Sequence, residues 1–324
     1  MDDRATAYRR QEPPNLPAGL LHGVRTRSRQ SHHRRRRWFA LGIVAAIALI
    51  AGISSGSGGG SVVDHHVVAG PGGYFSRIRA LAGTGAGSLA AQEQVAENAA
   101  IDKTLAYTPY VRVAGAQHRE IALTFDDGPG PYTLRVLSVL EHEHAPGTFF
   151  EVGVEEKYFH AGTSAIVANG FPIGDHTEMH APMSKLTAAG QRTQLLQQVS
   201  ATGDYGAPFP RLFRPPYGLW DNTTLSILKG FRMLMVMWTV DTSDYRELGV
   251  ASIVHTAVSG ARPGAIILMH DAGGNRIETV GALPIIIRTL RARGYRFVTV
   301  PRLLLDNPAP ANQQIPPSLA GGGG

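Results

Sequence analysis

From residue 117 onward the sequence predicts an α/β fold, a closed or nearly closed β/α barrel of about seven strands, and three observations carry that prediction. Short apolar runs alternate with amphipathic segments all the way to residue 303, the pattern of a mostly parallel sheet with helices outside. No strand candidate is followed by Gly-x-Gly-x-x-Gly, so the first turn of a dinucleotide-binding sheet is missing. The polar residues that stand out fall at the C-terminal ends of the strand candidates, which in such a barrel open on one face.

The strand candidates are Glu120–Phe125, Thr148–Val152, Phe171–Asp175, Leu212–Arg214, Met233–Val240, Ala265–His270 and Arg296–Val300. Helices are expected at Tyr132–Glu143, Ser164–Asn169, Thr187–Ala201, Thr223–Lys229, Val250–Ala261 and Glu278–Arg293, the last kinked or restarted at Pro284. The first apolar run reaches Phe125, Asp126 shares the face of Thr124, and a tight Gly128-Pro129 turn should swing Asp127 toward the same site. Two carboxylates that close repel unless a cation or a proton lies between them, so the turn is either a shared-cation site or a solvated acidic loop.

The segments before residue 117 have a different character. Residues 1–37 are polar and Arg-rich, with the composition of a disordered segment. They hold ten Arg against three acids, whereas the rest of the chain has 21 basic and 22 acidic residues. The basicity is therefore confined to one end, and no distributed basic face remains to grip nucleic acid. Four arginines, Arg34 to Arg37, precede Trp38 to Ile53, 16 residues without a charge. That is short of the roughly 20 residues that cross a bilayer upright. Residues 38–54 are read as a transmembrane anchor with the N-terminus cytoplasmic and the remainder outside the cell membrane. A cleaved signal peptide, giving a secreted protein, is the competing reading.

Residues 55–116 are a Gly/Ser/Ala-rich linker with a helix expected near Ala90 to Lys103, and Asp64-His65-His66 is read there as solvated. Residues 304–324 are read as a disordered Pro/Gly tail. The chain has no cysteine, which excludes disulfides and thiolate metal sites.

His176-Thr177-Glu178-Met179-His180 spaces two histidines by four, so one turn of helix would aim both at one ion. The Glu that a zinc peptidase needs directly after the first His is replaced by Thr177. With Asp127 the pair forms a three-ligand divalent site that leaves positions open.

Five segments in order then resemble the motifs of the polysaccharide deacetylases, the NodB-homology domain of carbohydrate esterase family 4. They are Thr124-Phe125-Asp126-Asp127-Gly128-Pro129, His176 to His180, Arg214-Pro215-Pro216-Tyr217-Gly218, Trp238 to Tyr245, and Leu268-Met269-His270. The resemblance covers residues 117–303 and implies a distorted β/α barrel that removes acetyl groups from N-acetylated sugars. By that resemblance Asp127, His176 and His180 hold a divalent metal, Zn²⁺ or alternatively Co²⁺. It implies Asp126 as general base, paired with Arg214, and His270 as general acid, supported by Asp244. It further assigns oxyanion binding to the Tyr217 backbone N–H and the acetyl-methyl pocket to Leu268. Three departures stand out: Tyr245 in place of Trp, Asp175 in place of Asn (read as orienting His176), and Pro172 in the strand before it. Trp220 is a further aromatic in an active-face loop, read either as a sugar platform or as packing. The expected partner is an acetylated glycan, peptidoglycan or a chitin-like oligomer. The alternative is a wall-anchoring carbohydrate-binding protein that keeps the barrel with little turnover.

Overall fold

The computed structural model describes residues 89–314. The expectations for residues 1–37, for the anchor at 38–54 and for most of the linker lie outside the described residues, as does 315–324. No helix among the described residues is long and apolar enough to cross a membrane.

The chain runs α1 (Leu89–Leu105), β1 (Tyr110–Val111), β2 (Glu120–Gly128), α2 (Thr133–His142), β3 (Thr148–Glu151), α3 (Gly153–Tyr158), α4 (His160–Ala168) and β4 (Ile173–Asp175). It continues α5 (Ala188–Gly203), β5 (Leu212–Phe213), α6 (Asn222–Phe231), β6 (Leu234–Val236), β7 (Val240–Asp241), α7 (Val250–Gly260), β8 (Ala265–His270), α8 (Ile277–Ala292), β9 (Arg296–Phe297) and α9 (Val300–Asp306). The strand order is β1-β6-β5-β4-β3-β2-β8-β7, with β9 paired to the start of β2. Every ladder is parallel.

This is a curled, incompletely closed barrel. Between its two ends the chain itself makes the crossing: Met237 N–H donates to Val111 O at 2.7 Å and Thr239 N–H to Ile266 O at 2.8 Å. The expected strand Met233–Val240 is therefore two strands, β6 and β7, on opposite sides of the opening. Its residues from Met233 to Trp238 are all apolar, so no alternation in the sequence marks where the pairing partner changes. Helices α2, α7 and α8 pack their apolar faces on Ile121, Leu123, Phe125 and Ile267. Ala122, Phe150 and Ile266 point the other way, into a second cluster.

The first strand does not stop at Phe125. It continues through both carboxylates to Gly128, and against β3 the register slips between Asp126 and Gly128. Asp127 is the extra residue, at φ 72°. A bulge of this kind breaks the alternation of faces, which is how two adjacent carboxylates come to look at one site.

Helix α8 runs unbroken through Pro284, without the expected restart. Ala282, Leu283, Ile286, Ile287 and Leu290 are buried on both sides of the proline, and that burial holds the helix together across the lost hydrogen bond.

The fold also extends past residues 117–303 at both ends. The helix expected near residue 90 is present as α1 and packs on α9, and β1 adds a strand to β6. Residues 304–314, read as tail, are tied in instead. Buried Asn307 accepts from His118 N–H at 2.6 Å and donates to Glu120 at 2.7 Å. Gln313 Oε1 accepts from the N–H groups of Arg112 and Val113 at 2.8 and 3.1 Å. Pro-rich composition hid two side chains that complete main-chain hydrogen bonding elsewhere.

Candidate active site

The C-terminal ends of the strands converge as the pattern predicts. Asp126 on β2 and His270 on β8 are register partners, so their Cα atoms sit side by side on neighbouring strands. Arg214 follows β5, His176 follows β4, and Asp244 lies in the short 3₁₀ turn after β7.

Arg214 fills the barrel mouth and is fully buried. Its Nη1 donates to Asp126 Oδ1 at 2.6 Å and to Thr124 Oγ1 at 2.9 Å, while Nε donates to Val236 O at 2.9 Å. The guanidinium also lies over the Phe150 ring, 4.1 Å from its centroid. A buried arginine of this kind is tolerated because a carboxylate and several acceptors replace its water. The second oxygen of Asp126 faces inward, 3.9 Å from His176 Nε2.

Asp127, His176 and His180 bring one ligand atom each to within 4.8 Å of one another, a group able to hold a metal ion. Asp127 Oδ1 is 3.5 Å from His176 Nε2 and 3.1 Å from His180 Nε2. His176 Nδ1 lies 2.7 Å from the Arg214 carbonyl, which can only accept. Nδ1 therefore carries the hydrogen, and in the neutral ring Nε2 presents a lone pair toward Asp127. Lone pairs converging on one spot fit a cation between them, and this donor set suits a divalent ion. With no cation between them, burial acts to raise the Asp127 carboxyl, but imidazole N–H groups donating to it and the charge of His270 outweigh that and hold it well below the usual carboxylate range.

The two histidines do not share a helical turn, as their spacing suggested. They sit on an irregular loop in which Thr177 and His180 adopt φ 71° and 53°. Asp175, expected to orient His176, instead accepts from Thr177 N–H at 2.7 Å and so braces that loop, and the Arg214 carbonyl orients the ring.

On the opposite side His270 Nδ1 pairs with Asp244 Oδ1 at 2.7 Å, and His270 N–H donates to Asp244 Oδ2 at 2.8 Å. Burial opposes the charged imidazole, yet the Asp244 carboxylate, reinforced by Asp127 and Asp126, raises it to about 9. Thr279 on α8 donates to Asp244 Oδ2 at 2.7 Å and completes the support. Sequence reasoning missed Thr279, which lies 35 residues from Asp244 and belongs to none of the motifs. Asp271 stands beside His270 at the same strand end. Its carboxylate occupies the space of a side chain at Gly128, 2.6 Å from where a Cβ would stand, and burial pushes it up to about 7.

Two exposed tyrosines flank the site: Tyr217, at φ 59°, sets its ring edge-on to His180 at 4.5 Å, and Tyr245 does so to His270 at 5.4 Å. Leu268 is buried among Met237 and Trp238 below them. Trp220 packs against the same apolar cluster and lies 6.2 Å from the Tyr110 ring, which favours packing over a sugar platform.

Comparison with known proteins agrees with this geometry. The polysaccharide deacetylase family profile matches residues 114–236. A peptidoglycan-N-acetylglucosamine deacetylase of Bacillus cereus is 37% identical over 57% of this chain and 87% of its own length. A chitooligosaccharide deacetylase of Sinorhizobium fredii is 33% identical over 62% of this chain and 99% of its own. Among solved structures, a peptidoglycan N-acetylglucosamine deacetylase superposes with a TM-score of 0.60 at 30% identity, covering 61% of this chain and 94% of that one. A CE4 family pseudoenzyme from Bacillus anthracis superposes with a TM-score of 0.57 at 27% identity, over 61% of this chain and 69% of that one. With the sequence motifs, the strand-end geometry and these relatives in agreement, the chain belongs to the polysaccharide deacetylase family of enzymes.

Proposed function

We propose that this protein hydrolyses the acetamide of an N-acetylated glycan, releasing acetate and leaving a free sugar amine. The observation that carries the reading is the pairing of Asp126 with His270 across neighbouring strands, with Asp127, His176 and His180 beside them. Asp126, oriented by Arg214, takes the proton of the attacking water at Oδ2. His270, held charged by Asp244, gives a proton from Nε2 to the departing nitrogen. Asp127, His176 and His180 would hold a divalent ion, Zn²⁺ with Co²⁺ as substitute, which supplies Lewis acidity toward water and the acetyl carbonyl. The Tyr217 backbone N–H is the proposed donor to the developing oxyanion, and Leu268 the wall against the acetyl methyl.

Peptidoglycan is the favoured substrate and a chitin-like oligomer the next, in line with the names of the relatives. The anchor reading of residues 38–54 belongs to the same proposal and places the domain outside the cell membrane, facing wall polymer. It rests on four arginines directly before 16 uncharged residues. Co-sedimentation with membranes, lost on deletion of residues 1–54, tests it.

Acetate release from N-acetylglucosamine oligomers and from peptidoglycan, lost on chelation and restored by Zn²⁺ or Co²⁺, tests the activity. No release from any acetylated glycan by the metal-loaded protein would sink the reading. The likeness to a pseudoenzyme gives substance to a second reading, glycan binding without turnover. That reading predicts unchanged glycan affinity in Asp126→Asn and no activity to lose. The complete base, acid and ligand set favours the enzyme.

A further inference from the structure

The loop between β8 and α8, Ala272 to Asn275, lies over an arginine that none of the five motifs includes. Arg276 is buried while Gly273, Gly274 and Asn275 above it are exposed. Its guanidinium donates to three main-chain carbonyls of that loop: Nε to Ala272 O at 2.8 Å, Nη2 to Gly273 O and Nη1 to Asn275 O, both at 2.9 Å. No carboxylate pairs with it among the described residues. A fork of fixed planar geometry is therefore spent wholly on holding one loop in shape.

What the loop does with that shape is visible at Gly273. Its φ is 72°, and a Cβ built there would stand 2.3 Å from Asp127 Oδ2. The loop backbone thus lies so near one oxygen of Asp127 that no side chain fits between them, while the other oxygen faces His176 and His180. Asp127 sits on a bulge, where strand pairing does not fix its side chain, and Gly273 supplies the missing wall.

We propose that Arg276 is a positioning residue for the metal centre, acting through Gly273 on the Asp127 carboxylate. The inference rests on the reading of Asp127 as a metal ligand. It predicts that loosening the loop weakens ion binding even though Arg276 touches no ligand.

The test is Zn²⁺ affinity of the full-length protein, measured by competition with a chromophoric chelator well below the melting midpoint. Arg276→Ala should bind Zn²⁺ about 10–100-fold more weakly, the range for groups behind a ligand. Arg276→Lys should lose nearly as much, because a single ammonium cannot span three carbonyls. Added guanidinium ion should restore affinity to Arg276→Ala, and added ammonium should not. Binding by both variants within twofold of wild type overturns the proposal, leaving the metal site and the deacetylase reading intact. Should Arg276→Ala not fold, Arg276→Lys decides alone, and failure of both to fold assigns Arg276 to folding and overturns the proposal as well. Absence of Zn²⁺ binding in the wild type removes the metal centre itself, and this inference with it.

Discussion

Arg214 Nη1 lies 2.6 Å from Asp126 Oδ1, and both side chains are buried where the barrel mouth opens. The pair divides the labour of two adjacent carboxylates. Asp126 is committed to a cation of the protein, so its other oxygen is free for chemistry, whereas Asp127 turns to the two imidazoles.

That division is testable on the pair itself. Asp127→Asn should weaken Zn²⁺ binding strongly, by removing the charged ligand. Asp126→Asn should leave Zn²⁺ affinity near wild type and lower kcat by about 10²–10⁴-fold, the range for loss of a general base. Equal loss of metal in both variants, measured by calorimetric titration, would show the roles to be wrongly divided.

Removing the guanidinium should cost stability as well as activity. Arg214→Met strands the Asp126 carboxylate in a buried site, and a broken buried pair typically costs about 3–5 kcal/mol. Arg214→Lys should recover only part, since one ammonium cannot reach Asp126, Thr124 and the Val236 carbonyl together. Denaturant melts of the two variants against wild type give the comparison.

The pH dependence follows from His270. Its folded value of about 9 lies above the ordinary 6.5, so the protonated ring is favoured by folding. In metal-free protein that stabilisation is complete below pH 6.5 and is lost as pH rises through about 9. Melting midpoints from pH 6 to 9.5 should fall in wild type and stay flatter in His270→Asn. In the loaded enzyme a general acid at His270 gives an alkaline limb at or below pH 9, since a bound cation offsets the pull of Asp127. Asp244→Asn should move that limb to lower pH, and an unmoved limb would exclude His270 as the acid.

The C-terminal segment should prove structural. Asn307→Ala removes the donor to Glu120 Oε2 and the acceptor of the His118 N–H, while Glu120 Oε1 keeps Arg296. A buried carboxylate oxygen stranded in this way costs about 1–3 kcal/mol. A melting midpoint unchanged from wild type would show that the segment contributes nothing.

Much of the site was legible in the chain. Asp126, Asp127, His176, His180, Arg214, Asp244 and His270 all stand at or just after strand ends, and the structure brings all seven to one mouth. The strand Ala265–His270 was readable to the residue, because a fully buried apolar run bounded by Gly264 and Asp271 leaves little choice of ends. Less legible were the residues that act through others. Thr279 and Arg276 carry no spacing signal, because one acts on a carboxylate 35 residues away and the other on main-chain carbonyls.

Alternation of apolar runs and helices is local, and so is the order of motifs; the sequence by itself therefore determined the barrel class, the family resemblance and the set of reactive side chains. Only the tertiary structure decided how they face. The bulge at Asp127 turns two neighbouring carboxylates to one site, and a loop with two left-handed residues, not a helical turn, aims His176 and His180 at it. Both depend on register against β3 and on hydrogen bonds to Arg214 and Thr177, contacts that exist only once the strands have paired. The crossing of Met237 and Thr239 from one end of the sheet to the other is decided in the same way, since either end alone would accept an extended apolar run.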